Sequence, residues 1–334
     1  MSEEYWQGKR VLVTGAGGFI ASHLVEKLVD QGTRVRAFVR YNSRGDPGLL
    51  SQLPKQTLDE VEIIAGDLRD LPAVQGAVDG VSHVFHLGAL IAIPYSYLHP
   101  AEVVETNVMG TMNILLAARA RASGVERVVH TSTSEVYGTA LYTPIDEKHP
   151  LQGQSPYSAS KIGADKLAES FYCAYNLPVV TLRPFNTYGP RQSARAVIPT
   201  IISQVLTGNT LHIGSLDTRR DFTYVMDTVS GFLKCGEAPG IEGSTINLGT
   251  GVENTVGEIV EKVIQLSGKK MEIVIDAERL RPEKSEVMRL LSDNTKAKST
   301  LGWEPQVSLE EGLSLTYAWM KAHLDLYHPD RYQR

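Results

Sequence analysis

Only two cysteines, Cys173 and Cys235, occur in 334 residues. That is too few for a disulfide framework or a cysteine-based zinc site, so both are expected as buried small apolar residues. No apolar run approaches the roughly 18 residues a membrane span requires. The chain opens Met1-Ser-Glu-Glu, acidic where a secretory signal is basic, so a cytoplasmic protein without a membrane partner is expected. Charge of one sign is lacking as well: 33 Lys+Arg against 38 Asp+Glu leave a formal net charge of -5, in no like-charged block. Nucleic acid, which draws on a basic stripe, is an unfavoured partner on that ground. Among 9 histidines no pair has metal-ligand spacing backed by carboxylates, so no metal is expected. No Ser-His-Asp signature appears either.

What is present is alternation. Short β-branched runs at Arg10–Thr14, Thr33–Val39, Val61–Ala65, His83–His86, Arg127–Thr131 and Pro178–Arg183 are separated by longer amphipathic stretches, among them Phe19–Val29, Ala101–Ala122 and Ser155–Tyr175. This spacing predicts βαβ units and an α/β fold, a Rossmann-like doubly wound parallel sheet covered on both faces. After Arg183 the texture changes to loops with helices near Ile198–Leu206, Val256–Leu266 and Leu309–His323, which reads as a smaller C-terminal α/β lobe for the substrate. A strand signal at Thr245-Ile-Asn-Leu-Gly suggests that the chain revisits the first lobe. The expected division is 1–185 plus about 220–252 for the dinucleotide, and 186–219 with 253–334 for the substrate, the tail from Tyr327 being loose.

The segment Val11-Leu-Val-Thr-Gly15-Ala-Gly17-Gly18-Phe19-Ile20-Ala21 falls between the first strand and the first helix. Glycines there let the backbone turn tightly and approach a pyrophosphate, which the helix N-terminus binds through free N–H groups and its dipole. Asp67, with Leu68, follows the third strand and could meet an adenine amino group or simply make a turn. At the end of the second strand an acid selects NAD through the ribose 2′-hydroxyl. The chain instead reads Arg40-Tyr-Asn42-Ser43-Arg44, two guanidiniums and no acid, so the expected cofactor is NADP or NAD with a lean to NADP. Phe19, Ile20, Leu87, Ala89 and Asn107, with Tyr157 and Lys161, complete the expected cofactor contacts. His86 and His130 end strands nearby and are expected to be structural.

Tyr157-Ser-Ala-Ser-Lys161 lies on a predicted helix, so phenol and ammonium share a face four residues apart. The ammonium is expected to lower the phenol towards the range of a general base. Just before it, Thr131-Ser-Thr133-Ser134-Glu135 ends the fifth strand, where open α/β sheets hold their ligands. Hydroxyls and a carboxylate there can hold a substrate hydroxyl and move a second proton.

Together with Arg183-Pro-Phe-Asn186-Thr-Tyr-Gly-Pro and Arg220-Asp-Phe-Thr-Tyr-Val, these motifs stand in the order found in extended short-chain dehydrogenase/reductases that act on nucleotide sugars. The likeness spans nearly the whole chain. It resembles most the 4,6-dehydratases, and through Ile145-Asp-Glu-Lys-His-Pro, Arg191-Gln-Ser-Ala-Arg-Ala-Val-Ile-Pro and Arg281-Pro-Glu-Lys-Ser-Glu-Val the N-acetylglucosamine-nucleotide dehydratases of the legionaminic acid pathway. That resemblance implies C4 oxidation with Tyr157 taking the hydroxyl proton, aided by Thr133 and Lys161. It further implies C5 deprotonation by Glu135, loss of water from C6, and return of the hydride there. Ser134 stands where dTDP-glucose dehydratases carry an aspartate, which leaves the acid for the departing hydroxyl unassigned. Asn186 and Arg220 map to residues that hold the nucleotide diphosphate; Arg191 and Arg281 are further substrate candidates, and an ion pair with Asp221 is the alternative for Arg220. The resemblance also implies a homodimer through paired helices, for which Val108, Ile114, Leu115, Ile162, Leu167 and Phe171 supply apolar surface. UDP-glucuronate decarboxylation, a 5,6-dehydration, 4-epimerisation and a silent dinucleotide-binding scaffold are the other readings.

Overall fold

The computed structural model describes residues 3–120, 124–280 and 282–327. Its strands are β1 (Arg10–Thr14), β2 (Arg34–Arg40), β3 (Glu62–Gly66), β4 (His83–His86), β5 (Arg127–Thr131), β6 (Val179–Pro184), β7 (Asn186–Tyr188), β8 (Thr210–Ile213), β9 (Arg219–Tyr224), β10 (Thr245–Leu248), β11 (Glu253–Thr255), β12 (Glu272–Ile275) and β13 (Arg289–Leu290). Seven of them form one sheet in the order β10-β6-β5-β4-β1-β2-β3, every pair parallel. The chain order reverses between β1 and β4, the switch point outside which open sheets bind ligands.

Alternating side chains explain why this sheet is covered on both faces. In β1, Val11 and Val13 enter one core and Leu12 the other; β4, β5 and β6 divide Phe85 from Val84, Val129 from Val128, and Val180 from Val179 in the same way. The first core receives Leu24, Val25 and Leu28 of the helix Phe19–Asp30 with Val229, Phe232 and Leu233 of Val225–Glu237. The second receives Val74, Ile114, Leu115, Ala168 and Phe171 from three further helices. Ile114, Leu115 and Phe171, expected at a subunit interface, are therefore consumed by the protein's own core.

The smaller elements gather around β9, which pairs in parallel with β7 and β13 and antiparallel with β11; β8 and β12 form a separate parallel pair. The chain passes from β9 straight into the helix Val225–Glu237 and then β10, which closes the edge of the large sheet.

Three local expectations change. The single helix at 101–122 is instead Pro100–Val104, a π-helical turn Glu105–Met109 and Gly110–Ala120, with residues 121–123 outside the described part. The wide turn carries the buried Asn107. Cys173 is exposed, because it falls on the outer face of Pro156–Tyr175, while Cys235 is buried. Tyr327 is held, its hydroxyl donating to the Gln192 carbonyl at 3.0 Å; residues 328–334 lie outside the described part. Among the described residues no helix is long and apolar enough to cross a membrane.

Candidate active site

The helix Pro156–Tyr175 starts at a reciprocal cap. Ser155 Oγ accepts the Ser158 N–H at 3.1 Å, Ser158 Oγ accepts the Ser155 N–H at 3.0 Å, and Pro156 pre-sets the first turn. Tyr157 is thereby fixed in that turn, with Lys161 and Asp165 following at four-residue steps on the same face. All three are buried. Lys161 Nζ donates to the Thr131 carbonyl at the end of β5 at 2.6 Å. Beyond it Thr133, in extended backbone, accepts the Glu135 N–H on Oγ1 at 3.2 Å and so starts the short helical turn Ser134–Tyr137. Ser134 is buried and brings no carboxylate to the site. Hydroxyl, carboxylate, phenol and ammonium are in this way brought to the carboxyl end of β5.

Burial lowers Lys161 to about 8 against the pull of the Asp165 charge. Burial also pushes the Tyr157 phenol well above its ordinary value; the Thr133 hydrogen bond opposes this and the Glu135 charge adds to it. The direction is opposite to the sequence expectation. Its cause is burial, which excludes water from the phenol and outweighs the Thr133 hydrogen bond.

Behind this cluster Asp165 collects four donors that the sequence reading did not assign. Its Oδ1 accepts from His130 Nε2 at 3.1 Å, and its Oδ2 from Ser132 Oγ at 2.7 Å and from Arg183 Nε and Nη2 at 3.1 and 2.8 Å. Arg183 Nη1 also donates to the Tyr137 hydroxyl at 2.9 Å, which donates on to Asn247 Oδ1 at 2.7 Å. Burial disfavours the Asp165 anion, but the His130 bond and the Arg183 and Lys161 charges outweigh it and hold the carboxyl down at about 2. Burial lowers His130, against the raising effect of its hydrogen bond to Asp165. His86 is lowered too, chiefly by burial, and links Thr14 of β1 to Thr111 at 2.8 and 3.1 Å.

The glycine loop makes its turn at the end of β1. Gly15 has a φ of 65°, and a Cβ on it would lie 2.7 Å from Gly88 Cα, so only glycine lets the turns after β1 and β4 touch. A Cβ on Gly17 would lie 2.5 Å from the Pro47 carbonyl oxygen, and the Leu49 N–H donates to the Gly17 carbonyl at 3.0 Å. The loop after β2 is thus latched against the glycines. Gly18 precedes the helix Phe19–Asp30 with no side chain capping it, leaving the first amides, those of Phe19 and Ile20 included, for an anion. These features fit a dinucleotide pyrophosphate.

Other expected cofactor contacts are distributed differently. Asn107 donates to the Leu90 carbonyl at 3.0 Å and to Ser160 Oγ at 3.0 Å and accepts the Leu90 N–H at 2.7 Å, so it braces the loop after β4 to the helix of Tyr157. Leu87 and Ala89 lie on that loop, half-buried. Leu68 is buried against Gly88 and Gly110. Asp67 is occupied by Arg69, which donates from its backbone at 2.9 Å and from Nη2 at 2.7 Å and, as its main cause, lowers the carboxyl. Asn42 Oδ1 accepts the Arg44 and Asp46 N–H groups at 3.2 and 3.0 Å, shaping the turn that exposes Ser43 and Arg44. Arg40 is exposed and pairs with Glu102 at 3.3 Å.

On the substrate side Asn186 Oδ1 is buried with no hydrogen-bond partner among the described residues. Arg220 is buried and pairs with Glu286 at 3.4 Å. Asp221 is not its partner: that carboxylate accepts the Thr250, Gly251 and Ser292 N–H groups at 2.8, 2.9 and 3.2 Å. Arg191 stands elsewhere than expected. It takes a φ of 67° and pairs with Glu26 of the helix Phe19–Asp30 at 2.7 Å, beside the Pro190 carbonyl that accepts from His23 Nε2 at 2.9 Å. Arg281 lies outside the described residues.

A phenol and an ammonium one turn apart, next to a strand-end hydroxyl and across from a glycine turn at the switch point, place the protein among the short-chain dehydrogenase/reductases. Likeness to known proteins narrows the class. The family model described as GDP-mannose 4,6 dehydratase matches residues 12–316, and the chain belongs to that family of nucleotide-sugar dehydratases and epimerases. It is 34% identical over 318 residues to a UDP-glucose 4-epimerase of Mycolicibacterium smegmatis, covering 93% of this chain and 98% of that one. It is 35% identical over 322 residues to a dTDP-D-glucose 4,6-dehydratase of Mus musculus, covering 94% and 89%. The crystal structure of DesIV, a dTDP-glucose 4,6-dehydratase from Streptomyces venezuelae with NAD bound, superposes with a TM-score of 0.85 at 30% identity over 96% of this chain and 100% of that one.

Proposed function

We propose that the protein is a nucleotide-sugar 4,6-dehydratase acting on UDP- or GDP-N-acetylglucosamine. Relatives of nearly equal identity are an epimerase and a dehydratase, so overall likeness leaves the reaction open. The observation that carries the reading is Glu135, a carboxylate held in the turn that Thr133 caps at the carboxyl end of β5. C4 epimerisation needs no base at C5, whereas 4,6-elimination does.

When bound, the nicotinamide supplies the hydride acceptor for C4 oxidation and the hydride later returned to C6. The chain handles the protons. Tyr157 Oη takes the proton of the sugar 4-hydroxyl, Thr133 Oγ1 orients that hydroxyl, and the positive charge of Lys161 one turn along works against the burial that raises the phenol. The resulting ketone acidifies the C5 hydrogen, which the Glu135 carboxylate removes; the carboxyl so formed passes that proton to the 6-hydroxyl, which leaves as water, and C5 is reprotonated from solvent as the hydride returns to C6. Asn186 and Arg220 hold the nucleotide; the unsatisfied Asn186 oxygen is a group that a bound ligand would satisfy.

The test is the mass of products from UDP-N-acetylglucosamine, GDP-N-acetylglucosamine, dTDP-glucose, UDP-glucose and UDP-glucuronate. Loss of water from an N-acetylglucosamine nucleotide supports the reading. Unchanged mass with inverted C4 makes the protein an epimerase, and loss of carbon dioxide a decarboxylase.

NADP is proposed to bind at least as well as NAD, because no acid ends β2 while Arg40 and Arg44 are exposed there. Cofactor extracted from the purified protein should contain NADP; NAD alone overturns the preference. A homodimer is proposed through the faces of the helices Gly110–Ala120 and Pro156–Tyr175, with the helix Pro100–Val104 and the π turn that lead into the first of them, where Val104 and Met109 are exposed and Val108, Ile162 and Leu167 half-buried. Sedimentation at micromolar concentration should give twice the chain mass, and a monomer alone rejects the pairing.

A further inference from the structure

We propose that Asp165 is a positioning residue for the reaction, the buried counter-charge that ties the helix of Tyr157 and Lys161 to the strand end of Thr131–Thr133 and keeps the Lys161 ammonium charged. The inference rests on the reading of Tyr157 and Lys161 as the proton-handling pair and names a group that this reading leaves idle.

The geometry is specific. Asp165 follows Lys161 by one helical turn, on the face that meets β5 and β6. Its donors come from both strands: His130 of β5, Ser132 just beyond β5, and Arg183 of β6. Lys161 itself bonds Thr131, next to Ser132. The carboxylate is thus bound to the segment that presents Thr133, and it sits on the helix that presents Tyr157. A mere structural ion pair would need Arg183 alone; here the same anion is shared with a histidine, a serine and, through space, the lysine.

Charge decides what the network does. The titratable and charged groups around Lys161 and Asp165 are His86 from β4, His130 from β5, Arg183 from β6, Glu135 and Tyr137 from the turn Ser134–Tyr137, and Tyr157 from the same helix. Burial lowers both histidines, and Glu135 lies on the Tyr157 side. Asp165 is the anion that acts on the lysine, and Arg183 is the cation that competes for it. Lys161 is charged below about pH 8, so kcat/KM is expected to fall as the pH rises through that value.

The experiment is the pH profile of kcat/KM for two variants, with whichever nucleotide sugar of the panel turns over. Asp165→Asn removes the anion and should move the alkaline limb down by about one to two pH units. Arg183→Gln removes the competing cation and should move it up, and this opposite shift remains measurable where Asp165→Asn does not fold. Ser132→Ala loosens the network without changing charge and should leave the limb in place. A purely structural Asp165 predicts lower stability with no shift in any variant, and that result overturns the proposal. Tyr157→Phe is measured in parallel: if it is active, or if no sugar of the panel turns over, the reading of the site falls and this inference with it. An inactive Tyr157→Phe with unmoved limbs in the charge variants sinks the Asp165 role alone.

Discussion

Tyr157→Phe is expected to lower turnover by on the order of 10²–10⁴ while the protein stays folded and keeps its cofactor. The phenol ring packs in the first turn of its helix, and phenylalanine keeps that ring, so the substitution removes one oxygen and little else. The lost atom is the acceptor for the 4-hydroxyl proton. Thr133 remains, but a neutral alcohol is too weak a base to replace a phenolate. The check is single-turnover oxidation of the substrate in the folded variant, with circular dichroism and bound-cofactor content as controls. Near wild-type turnover would remove Tyr157 from the reaction.

Glu135→Gln should separate oxidation from elimination. Tyr157 and Lys161 are intact in this variant, so C4 oxidation still proceeds. Loss of the C5 base blocks the next step, and the absorbance of reduced nicotinamide should then build up and persist. In heavy water the wild-type product should carry deuterium at C5, whereas a pure 4-epimerase leaves C5 untouched. No other carboxylate lies in the segment Thr133–Tyr137, so water loss at the native rate in Glu135→Gln contradicts the assignment.

The large sheet was legible because β-branched alternation is a local signal, and βαβ connections leave few topologies to choose from. Tyr157 and Lys161 were legible for the same reason, since a four-residue step on a helix needs no knowledge of the rest of the molecule. Asp165 repeats that step once more, yet it reads as an ordinary acid on an amphipathic helix until β5 and β6 bring His130, Ser132 and Arg183 to it. The pairing of Arg191 with Glu26 was not legible, because Glu26 lies far earlier in the chain, on the first long helix, and the loop of Arg191 turns towards it through the Pro190 carbonyl. Asn107 was expected to touch the cofactor. Its amide is instead engaged by Leu90 and Ser160, a contact created by the wide turn that broke the expected long helix.

The route of the chain between its sheets also bears on how such a protein can be re-engineered. The strands around β9 are supplied in two pieces, before and after the excursion through the helix Val225–Glu237 and β10. An exchange of the substrate-facing half between relatives therefore cannot be made with a single crossover. It takes three junctions, near Phe185, between Tyr224 and Val225, and in the turn at Gly249–Val252, and each has to preserve its own close contact. The last is the most exacting, because Asp221 anchors Thr250 and Gly251 from the neighbouring piece. Hybrid enzymes built with one cut would inherit a β10 edge matched to one parent and a β9 hub matched to the other.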